Sequence, residues 1–241
     1  MPQKHDLNII YDINRGGGQN SHLAANYSFY AFEFLLNRAF VAHKYHKIFY
    51  DFYLRSQRGE ELVFIDGGCH NGVFADIALA CDGITYAFEP NIYLCAFLSN
   101  LYKNNPRFIL RQKAIATANK KAIFYNVLDD VVSQGASVVE FGAKDCAEIQ
   151  ARGYEVEMID FCAFVSEIIA KHGKIDFIKL DIESAEFEVL EALIAQDLYK
   201  NIEYVMVETH ERLFENSSAK ISALKAQIAD KHIKNIYLDW V

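Results

Sequence analysis

The sequence predicts an α/β fold in which helices cover both faces of a mostly parallel sheet. Apolar runs of strand length alternate with segments of helical periodicity from Glu61 onward, as in βαβ units. The first run ends in a glycine-rich turn, and several later runs end in ionisable residues. Such residues collect at the carboxyl edge of a parallel sheet, where α/β proteins bind their ligands.

The predicted elements follow one another with short connections. We expect strands at 62–65, 84–88, 108–116, 154–159, 175–180, 202–207 and 236–238, with a further strand at 122–127 beside the third. We expect helices at 73–81, 91–102, 161–171, 184–198 and 212–230, and a loop with some helix at 129–152. The run at 175–180 is the strongest strand signal, because strands buried on both faces are almost continuously apolar.

The segment 1–60 differs in its residue pattern from the rest of the chain and is predicted to form a helical cap or lid on a main domain at 61–241. Aromatic and apolar residues recur there near helical spacing, which predicts one long or two shorter amphipathic helices packing on a core. These residues are Phe29, Phe32, Leu36, Phe40, Tyr45, Phe49 and Phe52. Arg15 opens a cluster of three glycines, whose amides could hold an anion with it, or which could act only as a hinge.

Composition excludes several classes of protein. The chain has 241 residues, a net charge of -8 and no block of Lys and Arg, so we expect no nucleic-acid partner. Its five cysteines are scattered, which is typical of reduced thiols in a cytoplasmic protein. The opening residues are polar, and no run approaches the roughly 18 apolar residues of a spanning helix. We therefore expect neither a signal peptide nor a membrane span.

The first chemical motif is the turn after the first strand. Asp66 ends that strand, and a dinucleotide-binding frame would place glycines at the positions of Gly67, Cys69 and Gly72. That frame fits only loosely, and a carboxylate is awkward beside a pyrophosphate. It suits a cationic ligand such as the α-amino group of S-adenosylmethionine. A glycine turn of purely structural use remains an equal alternative.

The second motif is an acid at the end of the next strand. Glu89, followed by Pro90, stands about 20 residues after the first turn, where Rossmann-like sites hold a ribose. We expect the Glu89 carboxylate to accept hydrogen bonds from both ribose hydroxyls. The alternative is an acid in a surface turn. The predicted third strand contributes Ala114 to the same cofactor site.

Two later strands also end in ionisable residues. Alternation along a strand places Lys179, Asp181 and Glu183 on one side of the sheet, and Glu208 and His210 share a side in the same way. We expect these acids and His210 to converge at the carboxyl edge. A histidine that titrates near neutrality is a natural general base, although a single histidine at a strand end is more often structural.

Taken together, these motifs resemble the FkbM-type methyltransferases over about residues 60–210. Asp66, Gly68 and Gly72 match the family's D-x-G-A-N-x-G motif, with Cys69 and His70 in place of Ala and Asn. The other matches are the Ala87–Pro90 segment, the Lys179–Glu186 block with Ser184 in place of Gly, and the Glu208 and His210 pair. The resemblance is specific because the motifs occur together and in order.

The resemblance implies a Rossmann-like class I methyltransferase fold with about seven strands and S-adenosylmethionine as cofactor. It implies O-methylation of a sugar, a glycan precursor or a related small molecule, including nucleotide-linked or phosphorylated ones. The predicted cofactor contacts are Asp66, Gly67, Gly68, His70, Gly72, Glu89, Pro90, Ala114 and Asp181. The predicted acceptor contacts are Arg15 and Glu183, and the preferred base is His210, with Asp181 and Glu208 as alternatives.

Two other functions stay open at this level. A nicotinamide-dependent oxidoreductase would use the same kind of sheet, but Asp66 and the loose glycine frame weigh against it. A non-catalytic module that binds S-adenosylmethionine is favoured only if the acids of residues 181–210 prove dispersed. These acids could also bind a divalent metal, but their order fits no metal motif, so no metal is predicted. The sequence leaves a homo-oligomer open.

Overall fold

The predicted alternation of strands and helices is present in the computed structural model, which describes residues 34–125, 153–183, 185–209 and 217–240. The strands are β1 (Val63–Gly67), β2 (Ile84–Phe88), β3 (Phe108–Arg111), β4 (Ala114–Ala116), β5 (Lys120–Phe124), β6 (Tyr154–Asp160), β7 (Ile175–Leu180), β8 (Ile202–Val207) and β9 (Ile236–Tyr237). The helices are α1 (34–44), α2 (His46–Gln57), α3 (Val73–Ala80), α4 (Ile92–Leu101), α5 (Phe161–His172), α6 (Glu186–Ala195) and α7 (Ser217–Asp230). The loop predicted at 129–152 lies outside the described residues.

The main sheet has six strands in the order β3-β2-β1-β7-β8-β9, and each neighbouring pair is parallel. The strand order reverses between β1 and β7, because the chain builds outward from β1 in one direction and from β7 in the other. This arrangement confirms the predicted α/β Rossmann-like fold. A reversal point of this kind leaves a crevice at the carboxyl ends of the two strands.

The sheet differs from the prediction in two details. Among the described residues it has six strands where seven were expected, since β4, β5 and β6 form a separate three-stranded sheet in the order β4-β6-β5. The predicted third strand is split, because the Lys113 amide donates to the Arg111 carbonyl at 2.8 Å in a tight turn that ends β3. The strand expected at 122–127 is β5, and it pairs antiparallel with β6 rather than beside β3.

Several helices begin and end where the sequence supplies caps. The Asn91 side chain accepts from the amides of Tyr93 and Leu94 at the start of α4. The Asp160 carboxylate accepts from the Ala163 amide at 3.0 Å at the start of α5, and Gly173 ends that helix with a φ of +84°. Side-chain acceptors at these positions satisfy amides that have no partner within the helix.

The first face of the sheet is covered by α2 and α3 through an aromatic cluster. Phe49 and Phe52 of α2 pack with Phe64, Phe74 and Phe177, and all five side chains are buried. Near the carboxyl edge, the ring of Tyr45 stacks on Trp240 with centroids 4.8 Å apart. Residues 34–57 therefore form one layer of the core. The predicted boundary between a cap at 1–60 and a main domain stays a prediction.

The aromatic stripe predicted for the helices is correct in part. Phe34, Val41 and Tyr45 are buried at helical spacing, in line with Phe49 of the next helix. Leu36 and Phe40 were expected in this stripe but are 52% and 54% exposed. They stand two and six positions after Phe34, which places them on the opposite side of a helix with 3.6 residues per turn. Phe29 and Phe32 lie outside the described residues.

The second face is covered by α5, α6 and α7. Its core contains Phe161, Val165, Leu190, Leu193 and Leu224, packed against apolar side chains of β1, β2, β7 and β8. Within the part of the chain that is described, no helix combines the length and the apolar character that crossing a bilayer requires.

A buried ion-pair network ties the end of α2 to the amino edge of the sheet. The Arg55 guanidinium lies 2.5 Å from the carboxylate of Asp176, 3.0 Å from that of Glu60 and 2.9 Å from that of Glu203. Asp176 is fully buried at the start of β7, and its second oxygen accepts from the Val63 amide at 2.8 Å. This network fixes the helix layer at the edge opposite the reversal crevice.

We predict that Arg55→Met lowers the free energy of unfolding by about 3 kcal/mol, because it leaves the buried Asp176 short of positive charge. Urea unfolding measures the change. Arg58→Met is the matched control, since Arg58 pairs with the same Glu60 but its side chain is 59% exposed. That control should change the free energy by less than about 0.5 kcal/mol. Equal small losses in both variants would contradict a structural role for the network.

Candidate functional site

The candidate site lies at the carboxyl edge, where the strand order reverses. Asp66 of β1 stands in register with Lys179 of β7, and Gly67 with Leu180. The pairing continues past both strands, because the Asp181 amide donates to the Gly67 carbonyl at 3.1 Å. The Glu208 amide donates to the Leu180 carbonyl at 2.9 Å in the same way. The ends of β1, β7 and β8 therefore form one continuous edge.

The turn after β1 is held tightly by its neighbours. The amides of Gly68 and Cys69 both donate to the Phe88 carbonyl, at 3.1 and 2.9 Å. Gly68 has a φ of +74°, and a Cβ atom added there would lie 1.8 Å from the Asp181 carbonyl oxygen. Gly72 has a φ of +87° and begins α3. Glycine is required at Gly68 by both conformation and space.

Two non-glycine residues at this edge also adopt left-handed backbone conformations. His70 has a φ of +47° and Glu183 a φ of +52°. Such conformations cost about 1 kcal/mol or more for a residue with a Cβ atom, and they persist where the surrounding structure imposes them. The same conformation occurs away from this edge at Asp82, Asp197 and His232, so the strain by itself does not mark a functional site.

Glu89 connects the glycine turn to the end of β2. Its carboxylate accepts from the His70 amide at 2.7 Å through one oxygen and from the Asn91 amide at 2.9 Å through the other. Burial raises the pKa of Glu89, and His70 and the two amides lower it in part. Each oxygen keeps one acceptor position, because a carboxylate oxygen has two lone pairs. The two hydrogen bonds to ribose hydroxyls remain a prediction.

Asp66 is fully buried, and neither carboxylate oxygen accepts a hydrogen bond of normal geometry from the described residues. The nearest cation is the Lys179 ammonium, 3.5 Å from one oxygen. Burial raises the pKa of Asp66, while Lys179 and the Cys69 thiol lower it. Buried polar atoms normally have partners, so a buried carboxylate with spare acceptor capacity at this edge of the sheet requires an explanation.

Lys179 and Asp181 meet, as strand alternation predicted, with 3.2 Å between the ammonium and the carboxylate. Alternation along the strand cannot be applied to Glu183, so the expectation that Glu183 shares the side of Lys179 and Asp181 stays a prediction. Strand β7 ends at Leu180, and the left-handed φ of Glu183 turns the chain after it. The side on which the Glu183 carboxylate acts stays a prediction.

The other predicted site residues are placed in different ways. Pro90 is half-buried before α4, and Ala114 is buried at the start of β4. Strand β4 reaches the turn, because a Cβ atom at Gly67 would lie 2.8 Å from the Ile115 side chain. Arg15 and His210 lie outside the described residues. Among those that are described, no group of three His, Cys, Asp or Glu side chains could hold a metal ion.

Sequence reasoning missed the function of one buried acid. Glu186 is fully buried, and its carboxylate accepts from the Ile182 amide at 2.8 Å. It therefore holds the loop that follows β7, which includes Asp181 and Glu183. The signal was present in the sequence, because an acid in the first turn of a helix can reach back to amides before it.

A comparison with protein-family models decides between the candidate classes. The model described as the methyltransferase FkbM domain matches residues 66–230. The chain belongs to the FkbM methyltransferase family. The match begins at Asp66 and includes the glycine turn and the ends of β7 and β8. Membership implies S-adenosylmethionine as the methyl donor. Searches among curated proteins and among solved structures gave no match.

The cysteines that the structure of this FkbM methyltransferase describes are not suited to nucleophilic chemistry. Cys69, in the glycine turn, is buried beside Asp66 and Glu89, and burial together with these acids raises the pKa of its thiol well above its ordinary value. The pKa of Cys81 is raised by burial to about 11. Thiols that stay protonated are poor nucleophiles.

We predict that Gly68→Ala destabilises this FkbM methyltransferase by about 1–3 kcal/mol more than Gly173→Ala does. Both glycines have positive φ, so both variants carry the same kind of backbone strain. Only Gly68 has a backbone oxygen in the space of the new Cβ, since nothing lies within 4 Å of that position at Gly173. Thermal and urea unfolding measure the difference. Similar losses would show that the close approach to Asp181 is unimportant.

Proposed function

We propose that this family member is an S-adenosylmethionine-dependent O-methyltransferase that acts on a hydroxyl group of a sugar, a glycan precursor or a related small molecule. The observation that carries the proposal is the buried carboxylate of Asp66, which has unused acceptor capacity at the point where the strand order reverses. A carboxylate there suits the ammonium group of the cofactor and disfavours the pyrophosphate of a nicotinamide dinucleotide.

The described residues fit the cofactor chemically. We assign Asp66 to the α-ammonium group and the remaining acceptor positions of Glu89 to the ribose hydroxyls. The other proposed contacts are Gly67, Gly68, His70, Gly72, Pro90, Ala114 and Asp181. The left-handed turn brings backbone amides close to a ligand, because Gly68 and Gly72 carry no side chain there. When bound, S-adenosylmethionine supplies a methyl group on a positively charged sulfur.

The chain must then position an acceptor hydroxyl and remove its proton. We propose His210 as the general base, with Asp181 and Glu208 as alternatives. Asp181 directly follows β7 and Glu208 directly follows β8, and His210 comes two positions after Glu208 in the sequence. The Asp181 carboxylate already pairs with Lys179, which favours His210 over it. Glu183 is proposed to contact the acceptor. Arg15 suits a phosphorylated or nucleotide-linked acceptor, because a guanidinium binds phosphate through two hydrogen bonds.

We further propose a role in carbohydrate or polysaccharide biosynthesis in the cytoplasm. The four cysteines among the described residues are all free and buried, as expected for a protein that keeps reduced thiols.

We predict that calorimetry detects binding of S-adenosylmethionine and that Asp66→Asn weakens it by about 1–3 kcal/mol, the scale for hydrogen bonds to a charged group. The same variant should keep or raise the free energy of unfolding near neutral pH. Burial raises the pKa of Asp66, so the ionised carboxylate lowers the stability of the folded state. Replacing Asp66 therefore separates cofactor affinity from stability.

Glu167→Gln is the matched control, because Glu167 is an exposed acid on α5. It should change neither cofactor affinity nor stability. Glu89→Gln should weaken cofactor binding as well, but it also alters the acceptors of the His70 and Asn91 amides and should lower stability. Clear binding of a nicotinamide dinucleotide, without binding of S-adenosylmethionine, would contradict the proposed function.

We predict that His210→Ala lowers turnover by about 10²–10⁴-fold with little change in cofactor affinity, as expected for loss of a general base. The assay follows transfer of a labelled methyl group to a panel of sugar phosphates and nucleotide-linked sugars. Glu208→Gln and Asp181→Asn are tested in parallel. Near-normal turnover of the His210 variant, with loss in one of the other two, would transfer the role of base to that acid.

A further inference from the structure

Lys179 is a buried lysine that the proposed chemistry leaves without a function. It stands on β7 one residue before the strand ends, and it is 5% exposed. Its ammonium group donates to the Gly68 carbonyl at 2.5 Å. The same group lies 3.2 Å from the Asp181 carboxylate and 3.5 Å from that of Asp66. One cation therefore joins the glycine turn, β1 and the extension of β7.

A lysine beside a site for a cationic ligand needs an explanation, because it repels that ligand. The explanation is the number of acids around it. The titratable and charged groups that surround Asp66 and its neighbours are Cys69, His70, Asp76, Glu89, Tyr102, Lys179 and Asp181. Among the described residues around the site, three are carboxylic acids, Asp66, Glu89 and Asp181, and the carboxylates of Asp66 and Asp181 lie within 3.5 Å of the Lys179 ammonium. Lys179 then acts on the acids rather than on the ligand.

We propose that Lys179 is a positioning residue of the cofactor site: it keeps Asp66 ionised in a fully buried position and fixes the Gly68 carbonyl, so that the turn presents a carboxylate to the ammonium group of the ligand. This inference rests on the proposed function, because it assigns Lys179 to the same S-adenosylmethionine site. Without a cation, a buried carboxyl group takes up a proton and stays neutral.

The electrostatics of the two groups agree with this geometry. Burial lowers the pKa of Lys179, but Asp181 and Asp66 outweigh burial and raise it overall, so the ammonium stays charged at neutral pH. Burial raises the pKa of Asp66, and Lys179 is the largest influence that lowers it. Removing the charge of Lys179 therefore raises the pKa of Asp66 further. As the solution is acidified, a variant without this charge should lose affinity for a cationic ligand at a higher pH than the natural protein does.

The test compares Lys179→Met with the natural protein by calorimetry between about pH 5.5 and 8.5. The probe is S-adenosylhomocysteine, which carries the same amino-acid end as the methyl donor. We divide the dissociation constant of the variant by that of the natural protein at each pH. This ratio should be larger at low pH than at high pH, by about tenfold for each unit by which the substitution raises the pKa of Asp66. Titration of the ligand itself cancels in this ratio. Lys174→Met is the control, because it removes a cation from Asp176 at the opposite edge.

Replacing Asp66 tests whether the effect of Lys179 on binding depends on the Asp66 carboxylate. In the Asp66→Asn background, Lys179→Met should no longer change the pH dependence of affinity. Lys179→Arg should keep the profile of the natural protein, since it keeps the charge. A merely structural lysine would weaken binding by one factor at every pH, and a ratio that does not change with pH would overturn the inference.

A stability measurement without ligand covers the case in which Lys179→Met does not fold at neutral pH. A buried acid with a raised pKa favours the folded state at low pH, and this contribution falls as the pH rises through the folded pKa. The variant should therefore regain structure on acidification, and the added change Asp66→Asn should restore folding at neutral pH. Failure of that rescue would overturn the inference.

The stability measurement without ligand distinguishes a failure of the proposed function from a failure of the role proposed for Lys179. If the natural protein binds neither S-adenosylmethionine nor S-adenosylhomocysteine, the proposed function fails. The rescue of folding by Asp66→Asn still tests whether Lys179 compensates the charge of Asp66. If the natural protein binds both and the ratio is flat, only the role of Lys179 fails.

Discussion

The parallel pairing of β1 with β7 is the contact on which the site depends. It brings together segments 111 residues apart in the chain, so that Lys179 reaches the Gly68 carbonyl and Gly68 lies against the Asp181 carbonyl. The strand order reverses at this pair, which leaves the crevice open above it. The close contacts at the edge follow from this pairing, since a shift in register would separate Asp66 from Lys179 and place a side chain on the wrong face.

Two fully buried aspartates have different surroundings at the two edges of the sheet. Asp176, at the amino edge, accepts from Arg55, Lys174 and the Val63 amide, so its charge is satisfied by the protein. Asp66, at the carboxyl edge, accepts no hydrogen bond of normal geometry from the described residues and faces one lysine at 3.5 Å. The same residue type in the same degree of burial is therefore satisfied by three partners at one edge and has one cation at 3.5 Å at the other. Buried polar atoms without partners are costly, and functional sites commonly carry such a cost.

The sequence predicts the main sheet and the positions of two acids at its carboxyl edge, because both follow from local patterns. Apolar runs mark the strands, and Asp66 and Glu89 stand where two of them end. It does not predict contacts that depend on long-range geometry, such as the pairing of β5 with β6, or the left-handed φ of Glu183 that ends strand alternation. The exposed Phe40 shows the same limit, because an aromatic residue near helical spacing is not by itself evidence of burial. Arg15 and His210 lie outside the described residues.

Aromatic residues outside the family match cover one face of the main sheet. The family match covers residues 66–230, but Phe49 and Phe52 precede it and Trp240 follows it. These three side chains cover Phe64, Phe74 and Phe177 on the first face of the sheet. A fragment limited to the matched residues would lack Phe64 with the rest of β1 before Asp66, and it would expose Phe74 and Phe177 to water, which favours aggregation. The hydrophobic core therefore includes residues on both sides of the family match.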